Sequence, residues 1–203
     1  MPDWEFEKKH AHAGVVVGVD EAGRGPLAGP VSVGAVILPK GFEHPMVNDS
    51  KKLTEARREK LFEELQEVEG LKWAVSLVEV EEIDEINILK ATHLGMVRAV
   101  EMLGVEPGMC LIDGLPVPGF PYPHEGIVKG DSKSLSIATA SIFAKVTRDR
   151  VMREAAKKYP GYGFEKHKGY GTKAHLEALR TLGPCPIHRR SFKPIAQLTL
   201  PLD

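Results

Sequence analysis

Residues 14–38 read GVVVGVDEAGRGPLAGPVSVGAVIL, and this stretch is the most informative part of the sequence for the fold. Two β-branched runs, 14–20 and 31–38, flank a connection rich in glycine and proline, and this pattern predicts two strands. Because the connection is short, we expect the two strands to pair in antiparallel fashion. The first run ends in two adjacent carboxylates, Asp20 and Glu21, and burying Asp20 there without a partner would be costly.

The rest of the chain alternates between helical and extended apolar patterns. Helical spacing predicts helices over 53–68, 87–103, 135–158 and 172–182. Short apolar runs predict further strands over 71–78, 109–113 and 126–129. Alanine and serine fill the early turns of the 135–158 helix, which we therefore expect to pack closely on a sheet. This order of elements predicts an α/β fold with a central mixed β-sheet flanked by helices.

Length and composition indicate one soluble domain. The chain has 203 residues, of which 42% are hydrophobic, and this is enough for a full core. No run approaches the roughly 18 consecutive apolar residues of a membrane span, and the polar N-terminus is unlike a secretory signal. We therefore expect a cytoplasmic monomer in which Cys110 and Cys185 are free thiols.

Charge is unevenly divided along the chain, although the formal net charge is −1. Residues 1–125 hold 12 Lys and Arg against 22 Asp and Glu, a net of −10, whereas residues 126–203 hold 15 against 6, a net of +9. A basic C-terminal part is where a phosphate backbone would be held. Solvated helix faces would explain the same asymmetry, so charge alone does not separate the two interpretations.

The glycines of the connection also fit a nucleotide-binding pattern. Gly23, Gly25 and Ala28 match G-x-G-x-x-A directly after a strand, which is the fingerprint of dinucleotide-binding folds. That fingerprint requires a helix to begin at the glycines, and Pro26 and Pro30 leave no room for one. Acidic residues before the loop would also repel a pyrophosphate, so we reject this interpretation.

Carboxylates stand at three predicted strand ends. Asp20 with Glu21, then Asp113, then Asp131 each end or follow an apolar run. Strand ends meet at one edge of an open sheet, so these side chains are candidates for a common site. Successive side chains on a strand point to opposite faces, so Asp20 and Glu21 can converge only if the chain turns at Ala22-Gly23. Crowded carboxylates need a cation, and oxygen ligands without a His or Cys cluster select Mg²⁺ or Mn²⁺. Two such ions would activate water for phosphodiester hydrolysis. The alternative is that Asp20 and Glu21 are only the polar start of a loop.

Six segments, in order along the chain, carry a specific resemblance. They are GVDEAGRGPLAGPV, NDSKKL, LIDG, KGDSKS with ATASIFAKVTRDR, HKGYGTKAH and HRRSF, spread over residues 18–192. Together they resemble the successive signatures of bacterial ribonuclease HII, a type 2 ribonuclease H family. The resemblance implies a ribonuclease H-like fold and an endonuclease that hydrolyses the RNA strand of RNA–DNA hybrids. It also implies incision on the 5′ side of ribonucleotides embedded in duplex DNA, which leaves 3′-hydroxyl and 5′-phosphate ends and serves ribonucleotide and RNA primer removal.

The resemblance also implies roles for individual residues. Asp20, Glu21, Asp113 and Asp131 correspond to the family's four metal-binding acids. Asp149 in KVTRDR is also acidic, but its place inside a long helix beside two arginines indicates a helical ion pair.

Two further segments resemble family sites for the ribose. Gly23-Arg24-Gly25 corresponds to the segment that contacts the ribose 2′-hydroxyl, largely through backbone groups that glycine leaves accessible. Tyr170 corresponds to the tyrosine that stacks on the sugar or base at the ribonucleotide–DNA junction. An ordinary half-buried tyrosine is the alternative for Tyr170.

Basic and polar side chains elsewhere are candidate contacts to nucleic acid. They are Ser50, Lys51 and Lys52 in a loop, Lys145 and Arg148 on one helix face, and His167 and Lys168 beside Tyr170. The HRR run at 188–190 either contacts nucleic acid or anchors the C-terminal part to the body of the protein, and we favour anchoring.

We divide the single domain into a core over 14–160, a helical C-terminal segment over 161–193 that binds substrate, and a tail over 194–203. The tail resembles the Q-L-x-L-x-L peptide by which bacterial replication proteins bind the DNA sliding clamp, through Gln197, Leu198, Leu200 and Leu202. Packing of the tail on its own core is an equal alternative. For the whole chain, another nuclease or resolvase of the same fold, or a nucleic-acid-binding module without catalysis, remain alternatives.

Overall fold

A five-stranded mixed sheet forms the centre of the computed structural model, which describes residues 1–47 and 53–198. The strands are β1 Val16–Ala22, β2 Val31–Ile37, β3 Lys72–Val78, β4 Met109–Asp113 and β5 His124–Ile127. Their spatial order is β3-β2-β1-β4-β5. The β1–β2 and β2–β3 pairs are antiparallel, whereas β1–β4 and β4–β5 are parallel. The predicted mixed sheet and its antiparallel first pair are therefore confirmed.

The α-helices of the described residues are α1 Glu5–His10, α2 Glu55–Gln66, α3 Val80–Ile86, α4 Ile88–Glu101, α5 Leu135–Lys158, α6 Phe164–His167, α7 Lys173–Leu182 and α8 Lys193–Ala196. The longer helices begin at residues whose side chains accept backbone N–H groups of the first turn. Thr54 caps α2, Asn87 caps α4 and Ser134 caps α5. Sequence therefore fixes where these helices start.

Helix α5 lies against one face of the sheet, at its centre. A Cβ added at Gly34 of β2 would lie 2.4 Å from the Ala140 carbonyl oxygen of α5, so only glycine permits this approach. The neighbouring Val36 packs in the same apolar cluster as Phe143 of α5. On the opposite face, the alternate residue Val33 packs with residues of α4. The predicted close packing of α5 on the sheet is confirmed.

Some boundaries differ from the expected ones. Strand β1 does not end at Asp20 but continues to Ala22, because residues 18–22 keep their pairing with β2. Strand β5 is shifted two residues towards the N-terminus and ends at Ile127, since Lys129 adopts a left-handed conformation with φ of 57°. Neither shift changes the edge at which the strands end.

The N-terminal helix α1 was not predicted. Its buried Glu7 accepts hydrogen bonds from the Ser134 hydroxyl at 2.6 Å and from the Ser136 backbone N–H at 2.9 Å. A carboxylate at the amino end of α5 also lies at the positive end of the helix dipole. Glu7 therefore ties the N-terminus to the start of the central helix.

The C-terminal helices α6, α7 and α8 pack on the body of the protein through an apolar cluster that includes Leu27, Met152, Phe164 and Leu179. Both cysteines are free, as expected. Within residues 1–47 and 53–198, no helix has the combination of length and apolar character that crossing a bilayer requires.

Candidate active site

The strand register brings the predicted acids to one edge of the sheet. Val19 of β1 lies opposite Ile112 of β4 in a parallel pair, so the residues that follow, Asp20 and Asp113, stand side by side. Asp113 in turn lies opposite Ile127, the last residue of β5. The chain then turns through a 3₁₀ segment, residues 130–132, which carries Asp131. Three neighbouring strands thus deliver carboxylates to the same end of the sheet.

Asp20 is the most buried of these four acids. Asp20 is buried, and burial raises the pKa of its carboxyl well above the ordinary value. The charges of Asp113, Glu21 and Asp131 raise this pKa further. The backbone N–H of Glu21 donates to Asp20 Oδ1 at 2.7 Å and opposes the shift. A buried carboxyl that three other acids perturb is typical of a functional site.

Glu21 is less buried and is held from one side. Burial raises the pKa of its carboxyl, and the nearby Arg24 guanidinium acts in the opposite direction. Arg24 Nη1 donates to Glu21 Oε1 at 3.2 Å. The other oxygen, Glu21 Oε2, is buried and has no hydrogen-bond partner in the described part of the chain. An unpaired buried oxygen is costly and is suited to an added ligand such as a cation.

The donor set fits a divalent ion, but the side chains do not already form a cage. Within residues 1–47 and 53–198, no group of three or more His, Cys, Asp or Glu side chains is arranged to hold a metal ion. Asp113 Oδ1 accepts the Gly130 backbone N–H at 2.6 Å. The hard oxygen donors and the unpartnered Glu21 Oε2 match the preferences of Mg²⁺ and Mn²⁺.

A cleft of about 390 Å³ opens beside Glu21. Its lining residues are Glu21, Ala22, Gly23, Arg24, Gly25, Arg58, Ser141, Ile142, Lys145 and Tyr170. The structure therefore brings the predicted ribose segment, Lys145 and Tyr170 together next to Glu21. Tyr170 is 46% exposed, so part of the residue is accessible to a ligand.

Two polar lining residues, Arg58 and Ser141, were not predicted from the sequence. Arg58 lies on α2, and one of its guanidinium nitrogens donates to the Leu53 carbonyl. Ser141 lies on the face of α5 that the sequence analysis assigned only to packing. Neither residue stands in a recognisable motif, and only the packing of α2 and α5 around the cleft identifies them.

Three predicted nucleic-acid contacts do not line the cleft, and their polar groups bond within the protein. Arg148 is 1% exposed, and its guanidinium donates to the carbonyls of Ala28, Pro30 and Lys168. The ammonium group of the buried Lys168 donates to the Glu165 carbonyl at 2.6 Å.

The third is His167. Its Nε2 lies 2.8 Å from the Tyr162 carbonyl oxygen, and its Nδ1 accepts the Gly169 backbone N–H. These hydrogen bonds use the polar groups that phosphate contacts would need, so we correct the three assignments to structural roles.

Other basic residues keep their predicted positions or lie outside the described part. Lys145 lines the cleft and pairs with Asp149 at 2.6 Å, so Asp149 is in a helical ion pair, as expected. Ser50, Lys51 and Lys52 lie outside the described residues, as do Leu200 and Leu202 of the tail.

The HRR run is an anchor, as we favoured. Arg189 is fully buried and donates to the carbonyls of Gly23, Arg24 and Gly29. His188 is also buried, and its Nε2 lies 3.0 Å from Nε2 of His175.

Comparison with known proteins gives a consistent result. The sequence model of the family described as Ribonuclease HII matches residues 17–195. Ribonuclease HII of Endomicrobium trichonymphae is 59% identical over 181 residues, which cover 89% of this chain and 86% of that protein.

Two solved structures share the fold. Ribonuclease H2 from Pyrococcus horikoshii OT3 matches with a TM-score of 0.75 at 30% identity, and the match covers 90% of this chain and 96% of that chain. The PCNA:RNase HII complex from Archaeoglobus fulgidus has a TM-score of 0.74 at 26% identity and covers 92% of this chain and 98% of that chain. Sequence and fold agree, and the chain belongs to the ribonuclease HII family.

Proposed function

We propose that this chain is an endonuclease that cuts the RNA strand of RNA–DNA hybrids and incises duplex DNA on the 5′ side of an embedded ribonucleotide. The observation that carries the proposal is the meeting of Asp20, Glu21, Asp113 and Asp131 at one sheet edge, beside a cleft lined by Gly23-Arg24-Gly25 and Tyr170. Membership of the ribonuclease HII family supports the same activity.

The four acids are proposed to hold two divalent ions, Mg²⁺ or Mn²⁺. When bound, the ions supply an activated water molecule and stabilise charge on the leaving 3′-oxygen. The protein itself orients the carboxylate oxygens. The Gly130 N–H orients Asp113, and Arg24 holds one oxygen of Glu21 so that Oε2 is left for a ligand. Burial and the neighbouring acids raise the pKa of Asp20, and a bound cation would offset the cost of its buried charge.

The cleft residues are proposed to hold the substrate. Lys145 and Arg58 place two positive charges where a phosphate backbone passes, and such contacts position a duplex without selecting its sequence. Backbone amides of Gly23-Arg24-Gly25 hydrogen-bond the ribose 2′-hydroxyl, the group that distinguishes RNA from DNA. The Tyr170 ring then packs on the sugar or base at the junction. Ser50 and Lys51 stay predicted phosphate contacts, outside the described residues.

The test is cleavage of a DNA duplex that carries one ribonucleotide, compared with the same duplex carrying deoxyribose at that position. We expect a single cut on the 5′ side of the ribonucleotide, dependent on Mg²⁺ or Mn²⁺ and abolished by EDTA. Equal cutting of both duplexes would identify another nuclease of the same fold. No cutting of either with metal present would identify a binding module without catalysis.

The tail is proposed to bind the DNA sliding clamp. Leu198 is 45% exposed at the end of the described residues, and Gln197 precedes it. The Archaeoglobus fulgidus structure is a complex of a ribonuclease HII with PCNA. A peptide of residues 194–203 should bind a bacterial clamp in a calorimetric titration, and a flat titration would reject this part of the proposal. Replacing either Gln197 or Leu198 by alanine in this peptide should weaken the binding.

A further inference from the structure

Arg189 makes an unusual set of contacts beneath the ribose segment. Its side chain is fully buried. The Nε and Nη2 atoms donate to the Gly29 carbonyl at 2.9 and 2.8 Å, Nη1 donates to the Arg24 carbonyl at 2.8 Å, and Nη2 donates to the Gly23 carbonyl at 2.6 Å. One guanidinium therefore holds three carbonyls of a single loop, residues 23–29.

These hydrogen bonds determine where the loop amides point. A trans peptide is planar, so its carbonyl and the N–H of the next residue point in opposite directions. When Arg189 draws the carbonyls of Gly23 and Arg24 inwards, the N–H groups of Arg24 and Gly25 turn away from the interior. These same residues line the cleft, which is the space proposed for the ribose.

A second buried guanidinium holds the other end of the loop. Arg148 donates to the carbonyls of Ala28 and Pro30, and the Arg189 backbone N–H donates to the Leu27 carbonyl. Burial, and then the charge of Arg148, lower the pKa of Arg189 to about 9. Two buried like charges side by side destabilise the fold, and carbonyl dipoles only partly offset this. Such an arrangement is more easily understood if it fixes a geometry that the activity needs.

We propose that Arg189 is a positioning residue for ribose recognition: it fixes the amides of Arg24 and Gly25 in the orientation that accepts a 2′-hydroxyl, without touching the substrate itself. The inference rests on the proposed function, in which Gly23-Arg24-Gly25 contacts that hydroxyl. It goes further by assigning selectivity for ribose to a residue remote in sequence. The rigid fork of arginine is essential to this role, because a lysine ammonium keeps the charge but cannot reach three carbonyls in one plane.

The experiment compares Arg189→Lys with Arg190→Lys, an exposed neighbour that serves as the matched control. Affinity is measured by fluorescence anisotropy in EDTA, for a duplex with one ribonucleotide and for the all-DNA duplex. We expect Arg189→Lys to lower the ribose preference about tenfold, the effect of one misplaced hydrogen bond, while affinity for all-DNA duplex stays within about twofold. Arg190→Lys should keep the wild-type preference. A folded Arg189→Lys protein with unchanged preference would overturn the inference.

Two outcomes separate this inference from the proposed function. If the wild type itself shows no ribose preference in binding and cuts both duplexes equally, the proposed function fails, and the inference fails with it. If Arg189→Lys does not fold, ¹⁵N relaxation of the wild-type protein without nucleic acid tests the inference instead. The amides of Arg24 and Gly25 should then have order parameters near 0.85, like strand residues, whereas values below about 0.6 would overturn the inference.

Discussion

Gly23→Ala and Gly25→Ala form a matched pair that tests how the ribose segment is supported. Gly23 has a φ of +95°, and a Cβ there would lie 2.0 Å from Nε of Arg148. At Gly25 the nearest atom to an added Cβ is Cε1 of Tyr170, at 3.6 Å, which is ordinary van der Waals contact. The same methyl group is therefore excluded at one position and accommodated at the other, two residues away.

The expected cost at Gly23 follows from its contacts. A left-handed backbone costs alanine roughly 1 to 2 kcal/mol. The buried Arg148 guanidinium must also move, and each hydrogen bond lost from a charged group costs about 1.5 to 3 kcal/mol. Losing the Arg148 Nε bond to Pro30 alone brings the total to about 2.5 to 5 kcal/mol. For a domain of this size, that lowers the melting temperature by about 10 °C.

The assay is thermal unfolding followed by circular dichroism, together with cleavage of the single-ribonucleotide duplex. Gly25→Ala should melt within about 2 °C of wild type, since its methyl group causes no strain. It should nevertheless cut poorly, because the methyl group stands between the amides and Tyr170, where the ribose must approach. Equal melting temperatures for Gly23→Ala and the wild type would refute the reasoning.

Further predictions concern charge. Asp113→Asn should abolish turnover but keep or raise the melting temperature, because it removes a charge that raises the pKa of the buried Asp20; a large loss of stability would contradict this. Burial, and then the charge of His175, lower the pKa of His188 from 6.5 to about 4. As the pH falls, the unfolded chain therefore binds a proton at this residue before the folded protein does. The free energy of unfolding should be highest above pH 6.5 and should fall by about 2 kcal/mol between pH 7 and pH 5. In denaturant unfolding, His188→Gln should show a smaller fall over the same pH range. Lys145→Ala should raise KM about tenfold and weaken its salt dependence, whereas Lys157→Ala, exposed at the end of the same helix, should change neither.

The sheet and the acids were predictable because both depend on local patterns. β-branched runs predicted the strands, and the acids lie near or shortly after the ends of the three parallel strands β1, β4 and β5. The caps Thr54 and Asn87 fixed helix starts for the same reason, since capping involves residues only a few positions apart.

Long-range packing was not predictable in this way. Arg148 shares a helix face with Lys145, as expected, but that face passes from the open cleft to the interior within one turn. A charge pattern along the helix cannot show this, because burial of Arg148 depends on residues 28–30 and 168 folding over it. Arg58 and Ser141 were missed for the converse reason: they reach the site only through the packing of α2 and α5.

The most direct test of the central claim is diffraction from crystals soaked in MnCl₂, recorded where manganese scatters anomalously. We expect anomalous peaks at the sheet edge, within about 2.5 Å of carboxylate oxygens from Asp20, Glu21, Asp113 and Asp131. We also expect Asp113→Asn crystals to lose at least one peak. Manganese bound elsewhere, or absent from this edge in the wild type, would contradict the account.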